Sequence, residues 1–574
     1  MNIDNSSTKK DLTVSAIQFE PKFKEKKRNL EKIENLIRES ASKGARLIVT
    51  PEMATTGYIW SNRNEIKPFV ETIPGNTTDI MCKIANELDV YIVIGLAEVD
   101  KDTDDYFNTA VLIGPEGIIG RYRKVHPYMA EPLWAKNGNE GFKVFNTEIG
   151  RIGLAICMDL TFFESSRVLQ LKECDIICAP VNWFGELAPS ILWITRAFET
   201  GCPVIVANRW DKERKTSFAG CSTILDHQGK ILALKDRGDG VILADLNIDE
   251  IRKHKKTMGK RQKYSFYNEL SLSTHRWNPL GFFSQTSEGL PKGDIFKSSA
   301  IQVSTSIVSD MEKRINYAVE VIEKEAYNGS KLVVFPELYL SGIAIISKDE
   351  AKSLSISSEE IDTSLNKILE TCNSHNIYVV IGGIEYKDEK LYNAAWLLGA
   401  NGLMGSYYKI ELNNQEKLWA EPGNDLFVCD LPIGRLAIIL GEELKIPEFA
   451  RIAAIRGADI LAVPSAINNE YVRRINVFND ELIWHMARVR AREHNLYTIF
   501  SNYSDNGYVG ESGVFGPDAG LIEGDEAIIS SDQKTGIINF EINTENLNPE
   551  VAINRVRSKQ LLVLREPYWY TELI

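Results

Sequence analysis

Residues 150–167 read Gly150-Arg-Ile-Gly-Leu-Ala-Ile-Cys157-Met158-Asp159-Leu-Thr-Phe-Phe-Glu164-Ser-Ser-Arg167. The apolar run Arg151 to Ile156 predicts a buried strand, and a helix is expected from near Glu164. Cys157 therefore stands at a strand end and beside a helix N-terminus. That position is expected to lower a thiol pKa and to offer backbone N–H groups to an anion. The stretch has an echo. Residues 434–451 read Gly434-Arg-Leu-Ala-Ile-Ile-Leu-Gly441-Glu442-Glu443-Leu-Lys-Ile-Pro-Glu448-Phe-Ala-Arg451. Glycine, arginine, leucine, glutamate and the final arginine fall in step, but Gly441 stands where Cys157 stands.

Further matches make the echo a repeat. Ser15-Ala-Ile-Gln18 returns as Ser299-Ala-Ile-Gln302, and Arg46-Leu-Ile-Val-Thr-Pro-Glu52 as Lys331-Leu-Val-Val-Phe-Pro-Glu337. Asn108-Thr-Ala returns as Asn393-Ala-Ala, Lys124 as Lys409, Leu133-Trp134 as Leu418-Trp419, and Asn208 as Asn502. The spacing is nearly constant and drifts late in each half through small insertions. The expected organisation is one domain over 1–276, a linker over 277–297 and a second domain over 298–574. Residues 277–297 contain Asn-Pro, Gly, Ser and a further Pro, the composition of a connecting segment. The two ends also echo each other. Arg565-Glu-Pro-Tyr568-Trp-Tyr570-Thr-Glu572 loosely follows Arg261-Gln-Lys-Tyr264-Ser-Phe-Tyr267-Asn-Glu269.

Within each copy, helical and strand patterns alternate. Leu30, Ile33 and Ile37 mark one helical face between Lys26 and Ser42. Leu47–Thr50, Val90–Leu96 and Ile176–Ala179 are short apolar strands, and Thr109–Ile113 pairs with Ile118–Arg123 as a hairpin turning at Pro115-Glu-Gly117. Continuous apolar strands alternating with helices mean an α/β fold with sheets covered by helices.

Composition narrows the partners. The chain has 574 residues, with 66 Lys and Arg against 79 Asp and Glu, a net charge of −13. An acidic surface is not rewarded by nucleic acid or by anionic membrane. No apolar run reaches membrane-spanning length. Eight scattered cysteines do not make a disulfide framework, so a reducing cytoplasm is expected. Cys174 and Cys178 lack a second pair and a nearby histidine, and read as buried structural thiols. No metal and no cofactor are expected.

Glu52, Lys124 and Cys157 each end a predicted strand of the first copy. Taken singly, each has a structural explanation: a turn cap, a solvated lysine, a buried thiol. Taken together, and with Gly57, Glu131, Glu164, Arg167, Arg196-Ala-Phe-Glu199, Asn208 and Phe218-Ala-Gly220-Cys-Ser222, the first copy resembles the nitrilase superfamily of carbon–nitrogen hydrolases. The resemblance covers nearly the whole chain, once per copy. It implies two tandem four-layer α-β-β-α sandwiches and a Glu52–Lys124–Cys157 triad, with Glu131 as a second glutamate that orients the lysine or the substrate. The chemistry suits these residue types. A deprotonated cysteine attacks a poor amide electrophile to give an acyl intermediate, a carboxylate shuttles the protons, and an ammonium stabilises the oxyanion. The Met158 backbone N–H is the expected second oxyanion donor. Tyr58, Trp134, Asn182, Trp183 and Phe184 are candidate substrate contacts, and Arg209 is a candidate carboxylate clamp.

In the second copy, Glu337, Lys409 and Glu416 occupy the equivalent places around Gly441, which cannot form a thioester. This half is expected not to hydrolyse. The resemblance implies pairing of the two halves as an internal pseudo-dimer, with further oligomerisation left open. Cys157-Met158-Asp159 is closer to the Cys-Tyr-Asp of amidase-like members than to the Cys-Trp-Glu of nitrile-cleaving ones. The expected reaction is hydrolysis of a small amide to acid and ammonia. N-carbamoyl cleavage and nitrile hydrolysis are the alternatives, and a small-molecule sensor on the same scaffold is the alternative outside enzymes.

Overall fold

The computed structural model describes residues 11–574 apart from 129, 185–187, 260–261, 275–289, 307–309, 344, 346, 520–523, 530–532 and 546–553. The chain forms two compact units. One comprises Met1–Gln262 and Glu566–Ile574, the other Lys263–Arg565.

In the first unit, one six-stranded sheet runs in the order Gly240–Leu246, Leu12–Gln18, Leu47–Val49, Tyr91–Val99, Tyr106–Gly114, Gly117–Arg123. Its three middle strands from Leu12 to Val99 are parallel and the outer pairings antiparallel. The second sheet runs Ile231–Lys235, Ser222–Leu225, Val204–Ala207, Ile176–Pro180, Gly150–Leu154, Val144–Thr147. The sheets face each other through their central strands. Helices Lys26–Ser42 and Asn76–Leu88 pack on the outer face of the first sheet, and helices Phe163–Leu171 and Ile191–Thr200 flank the second. This is the expected α-β-β-α sandwich. Central strands such as Leu47–Val49 and Ile176–Pro180 are buried throughout, because a helix covers one face and the other sheet covers the opposite one. Leu30, Ile33, Leu36 and Ile37 supply the buried stripe of the first helix.

The second unit repeats the plan. A parallel core of Ile295–Ser304, Ser330–Val334 and Tyr378–Lys387 extends antiparallel through Lys390–Gly399 and Gly402–Tyr408. The other sheet centres on Gly434–Ile438, Ile460–Pro464 and Tyr497–Ser501. The late drift in repeat spacing has a visible source here. An antiparallel hairpin, Val472–Val477 with Asp480–His485, precedes helix Met486–His494.

The unit boundaries differ from the sequence expectation. Residues 263–274 pack in the second unit, not the first, and residues 566–574 pack in the first. The expected linker 277–297 lies outside the described residues as far as 289, and its last three residues, from Ile295, are already strand. The two echoing tails are thus exchanged, and they make equivalent contacts. In the first unit, the Tyr570 hydroxyl lies 2.8 Å from His126 Nε2 and Glu572 pairs with Lys172. In the second, the Tyr264 hydroxyl donates to Glu411 at 2.6 Å and Glu269 pairs with Arg456. Each tyrosine reaches the residue two positions beyond its unit's lysine, Lys124 or Lys409.

Because His126 is buried and Nε2 has Tyr570 as its partner, Tyr570→Phe keeps the ring and strands a buried polar atom. We expect a loss of about 1–3 kcal/mol in the first unit, measured by urea unfolding of the full-length chain.

Candidate active site

The first site is built at the carboxyl ends of strands from both sheets. Strand Leu47–Val49 ends in Thr50-Pro51, and the chain turns at Met53, whose φ is +50°. This places Glu52 fully buried between the sheets. Strand Gly117–Arg123 delivers Lys124 on the residue after its last. A short 3₁₀ turn at Glu131–Leu133 delivers Glu131. Lys124 Nζ donates to Glu52 Oε1 at 2.8 Å and to Glu131 Oε2 at 2.6 Å. Asn108 Nδ2 donates to Glu52 Oε1 at 2.7 Å and also to Glu131 Oε1. Glu52 Oε2 is buried and has no hydrogen-bond partner among the described residues.

Burial pushes the Glu52 carboxyl up, against the pull of Lys124, to about 7. For Lys124, burial works against the charge, but the neighbouring carboxylates Glu131 and Glu52 outweigh it and hold the ammonium above the usual lysine value. One ammonium between two buried carboxylates therefore keeps its proton, and Glu52 titrates near neutrality.

Cys157 follows strand Gly150–Leu154 and opens a 3₁₀ turn, Cys157–Thr161, before helix Phe163–Leu171. Its φ is +47°, a left-handed conformation that a side chain other than glycine adopts only when its surroundings hold it. Asp159 does the holding. Its Oδ2 accepts the Ile156 N–H at 2.8 Å and the Tyr122 hydroxyl at 2.7 Å, and its Oδ1 lies 2.7 Å from His126 Nδ1. The expected lowering of the thiol pKa is corrected here. Burial and the Glu52 charge push the thiol well above its usual range, although Lys124 and the Asn182 backbone N–H act the other way. The α-helix starts six residues beyond the sulfur, too far on for its N-terminus to reverse this.

The aromatic candidates have distinct places. Tyr58 is buried, and its hydroxyl donates to Glu131 Oε2 at 3.2 Å. It packs in one cluster with Trp134, Met53, Trp60 and Phe218, against which Phe184 also packs. Phe184 stacks on Tyr128, while Trp183 turns edge-on to Trp193. The side-chain amide of Asn182 and the indole N–H groups of Trp134 and Trp183 are buried without hydrogen-bond partners among the described residues. The Arg209 expectation does not hold. Its guanidinium is buried and engaged by Asp211, by Glu213 at 2.7 Å and by the Pro21 carbonyl. Glu213 in turn accepts the Tyr58 and Ile59 N–H groups, so this cluster braces the Tyr58 loop.

Two contributors were not singled out from the sequence. Asn108 ties the two carboxylates together, and its recurrence as Asn393 was the available signal. Asp159 was quoted only as part of a motif; its counterpart Glu443 makes the same bonds to Tyr407 and to the Leu440 N–H.

A carbon–nitrogen hydrolase family model matches residues 13–256 and again 299–547. The chain belongs to the carbon–nitrogen hydrolase family. It is similar to a nitrilase of Pyrococcus abyssi, 36% identical over 241 residues, 42% of this chain and 91% of the relative. It is similar as well to a 2-oxoglutaramate amidase of Bacillus subtilis, 32% identical over 245 residues, 42% of this chain and 92% of that protein. Among solved structures, an amidase from Nesterenkonia sp. matches at 21% identity with a TM-score of 0.38, covering 43% of this chain and 95% of that one. The protein is a tandem carbon–nitrogen hydrolase acting on non-peptide bonds, each copy about the length of a whole relative.

The second copy keeps the arrangement without the sulfur. Lys409 Nζ lies 2.7 Å from both Glu337 Oε1 and Glu416 Oε1, and Asn393 bridges the same carboxylates at 2.8 Å. Gly441 has φ +45°, and a Cβ there would sit 2.2 Å from Glu337 Oε2. The carboxylate occupies the space that a nucleophile's side chain would need. Gly441→Cys is therefore expected to destabilise the second unit by about 1–3 kcal/mol through overpacking, read by thermal unfolding, and not to create a second reactive site.

Proposed function

We propose that the first unit hydrolyses a small amide to acid and ammonia through a thioester on Cys157. The observation that carries this reading is the unpartnered Glu52 Oε2. It belongs to a carboxyl that titrates near 7 and lies close enough to raise the Cys157 pKa. A neutral thiol beside an ionised carboxylate is the starting state for proton transfer at the moment of attack. Glu52 takes the thiol proton as sulfur bonds to the amide carbon. The resulting oxyanion is met by the Lys124 ammonium and the Met158 N–H. Collapse expels ammonia, which leaves with the proton held on Glu52. Water, activated by the same carboxylate, then cleaves the thioester and frees the acid. Glu131 positions Lys124.

Amide cleavage is favoured over nitrile cleavage by Cys157-Met158-Asp159, and one relative is named as an amidase acting on 2-oxoglutaramate. A nitrilase among the relatives keeps nitriles in the test. Tyr58, Trp134, Asn182, Trp183 and Phe184 form the substrate walls in this reading. Their apolar faces and unpaired N–H and amide groups suit a small, mostly apolar acyl chain with a polar end.

The test is ammonia release from a panel of amides, ω-amides, N-carbamoyl amino acids and nitriles. We expect release from the amides, abolished in Cys157→Ala. Ammonia from nitriles alone, or turnover that survives the substitution, contradicts the proposal. Lys124→Ala should slow kcat by about 10²–10³-fold, the usual effect of losing one oxyanion donor. Only ionised Glu52 accepts the thiol proton, so kcat/KM should fall as pH drops below about 7.

A further inference from the structure

Beyond hydrolysis, and independent of it, we propose that the second unit holds a non-covalent binding site for a small protonated amine. The degenerate site encloses a cavity of about 70 Å³, room for a few heavy atoms. Leu338, Ile343, Ile345 and Trp419 form its apolar walls. Its polar lining includes Glu337, Lys409, Glu416 and Glu442.

The charges do not balance. Lys409 pairs with both Glu337 and Glu416 at 2.7 Å, and Glu416 also accepts the Asn413 N–H at 2.8 Å. Glu337 is only 2% exposed, yet only its Oε1 is hydrogen bonded, by Lys409 and Asn393. Its Oε2 carries no hydrogen bond among the described residues. Glu442, at the mouth, forms no ion pair among them. Three carboxylates thus line one small cavity against the single ammonium of Lys409, which Glu337 and Glu416 share, and such an excess of negative charge favours a cation that supplies both charge and N–H donors.

The replacements relative to the first unit point the same way. Cys157 becomes Gly441, which removes the nucleophile. Met158 becomes Glu442, which keeps the backbone N–H but adds a carboxylate to the lining of the site. Asn182 becomes Ala466, which removes a buried amide. An oxyanion or a carboxylate ligand is repelled by such a site, and an ammonium is attracted.

Isothermal titration of the full-length chain with methylammonium tests this, with acetamide and acetate as controls at matched ionic strength. We expect saturable methylammonium binding, no saturable binding of the controls, and loss of binding in Glu337→Gln. Glu442→Met, which installs the first unit's residue at an exposed position, should weaken binding about tenfold. That variant decides the matter if Glu337→Gln does not fold. Cys157→Ala should leave binding unchanged. Absence of saturable binding, unchanged affinity in Glu442→Met, or preference for acetate or acetamide overturns the proposal.

Discussion

A buried ammonium between two buried carboxylates is the constraint on which each half of this protein depends. Removing the lysine strands two buried carboxylates between two sheets, a loss of about 3–5 kcal/mol, and removing either glutamate takes away an acceptor of the buried ammonium. This accounts for the survival of Glu337, Lys409 and Glu416 in a copy with no nucleophile: the bridge is required by burial whether or not chemistry takes place beside it. Glu337 Oε2 has its equivalent in Glu52 Oε2; what the bridge does not explain is the mouth residue Glu442, the feature that sets the second site apart from a merely inherited core.

In the first half the same bridge sets the proton inventory. Lys124 stays charged, so in the proposed mechanism it serves as an electrostatic partner and not as a base. Glu52 titrates near neutrality, so it can both accept and return a proton. The thiol starts protonated. Activation in this account comes from a positioned base and not from a pre-formed thiolate. The left-handed backbone at Cys157, fixed by Asp159, presents the sulfur at the strand end. Tyr570 reaches the same network through His126, which links the exchanged tail to the turn that carries Cys157.

Much of this was legible in the chain itself. Glu52, Lys124 and Cys157 stood out because each ends a recognisable strand and two of the three recur in the repeat. The α/β layering followed from short apolar runs between amphipathic helices. Other features were hidden for physical reasons. The two tails resemble each other, so nothing in their sequence says which half each one covers. Arg209 sits beside Asn208 as a clamp would, but its charge is consumed by Asp211 and Glu213, which only folding brings to it. Asn108 reads as an ordinary strand residue until the strand pairing aims its amide between two carboxylates. The thiol pKa depended on burial, which outweighs the local effect of a nearby helix.

The central claim is that one cysteine, Cys157, carries the acyl group and that Gly441 leaves the second half without one. Intact-mass and peptide analysis of the chain quenched during amide turnover tests it most directly. The account predicts a single acyl adduct per chain, on the peptide that contains Cys157. Turnover with no adduct under conditions where deacylation is slowed, or an adduct on any other residue, would contradict it.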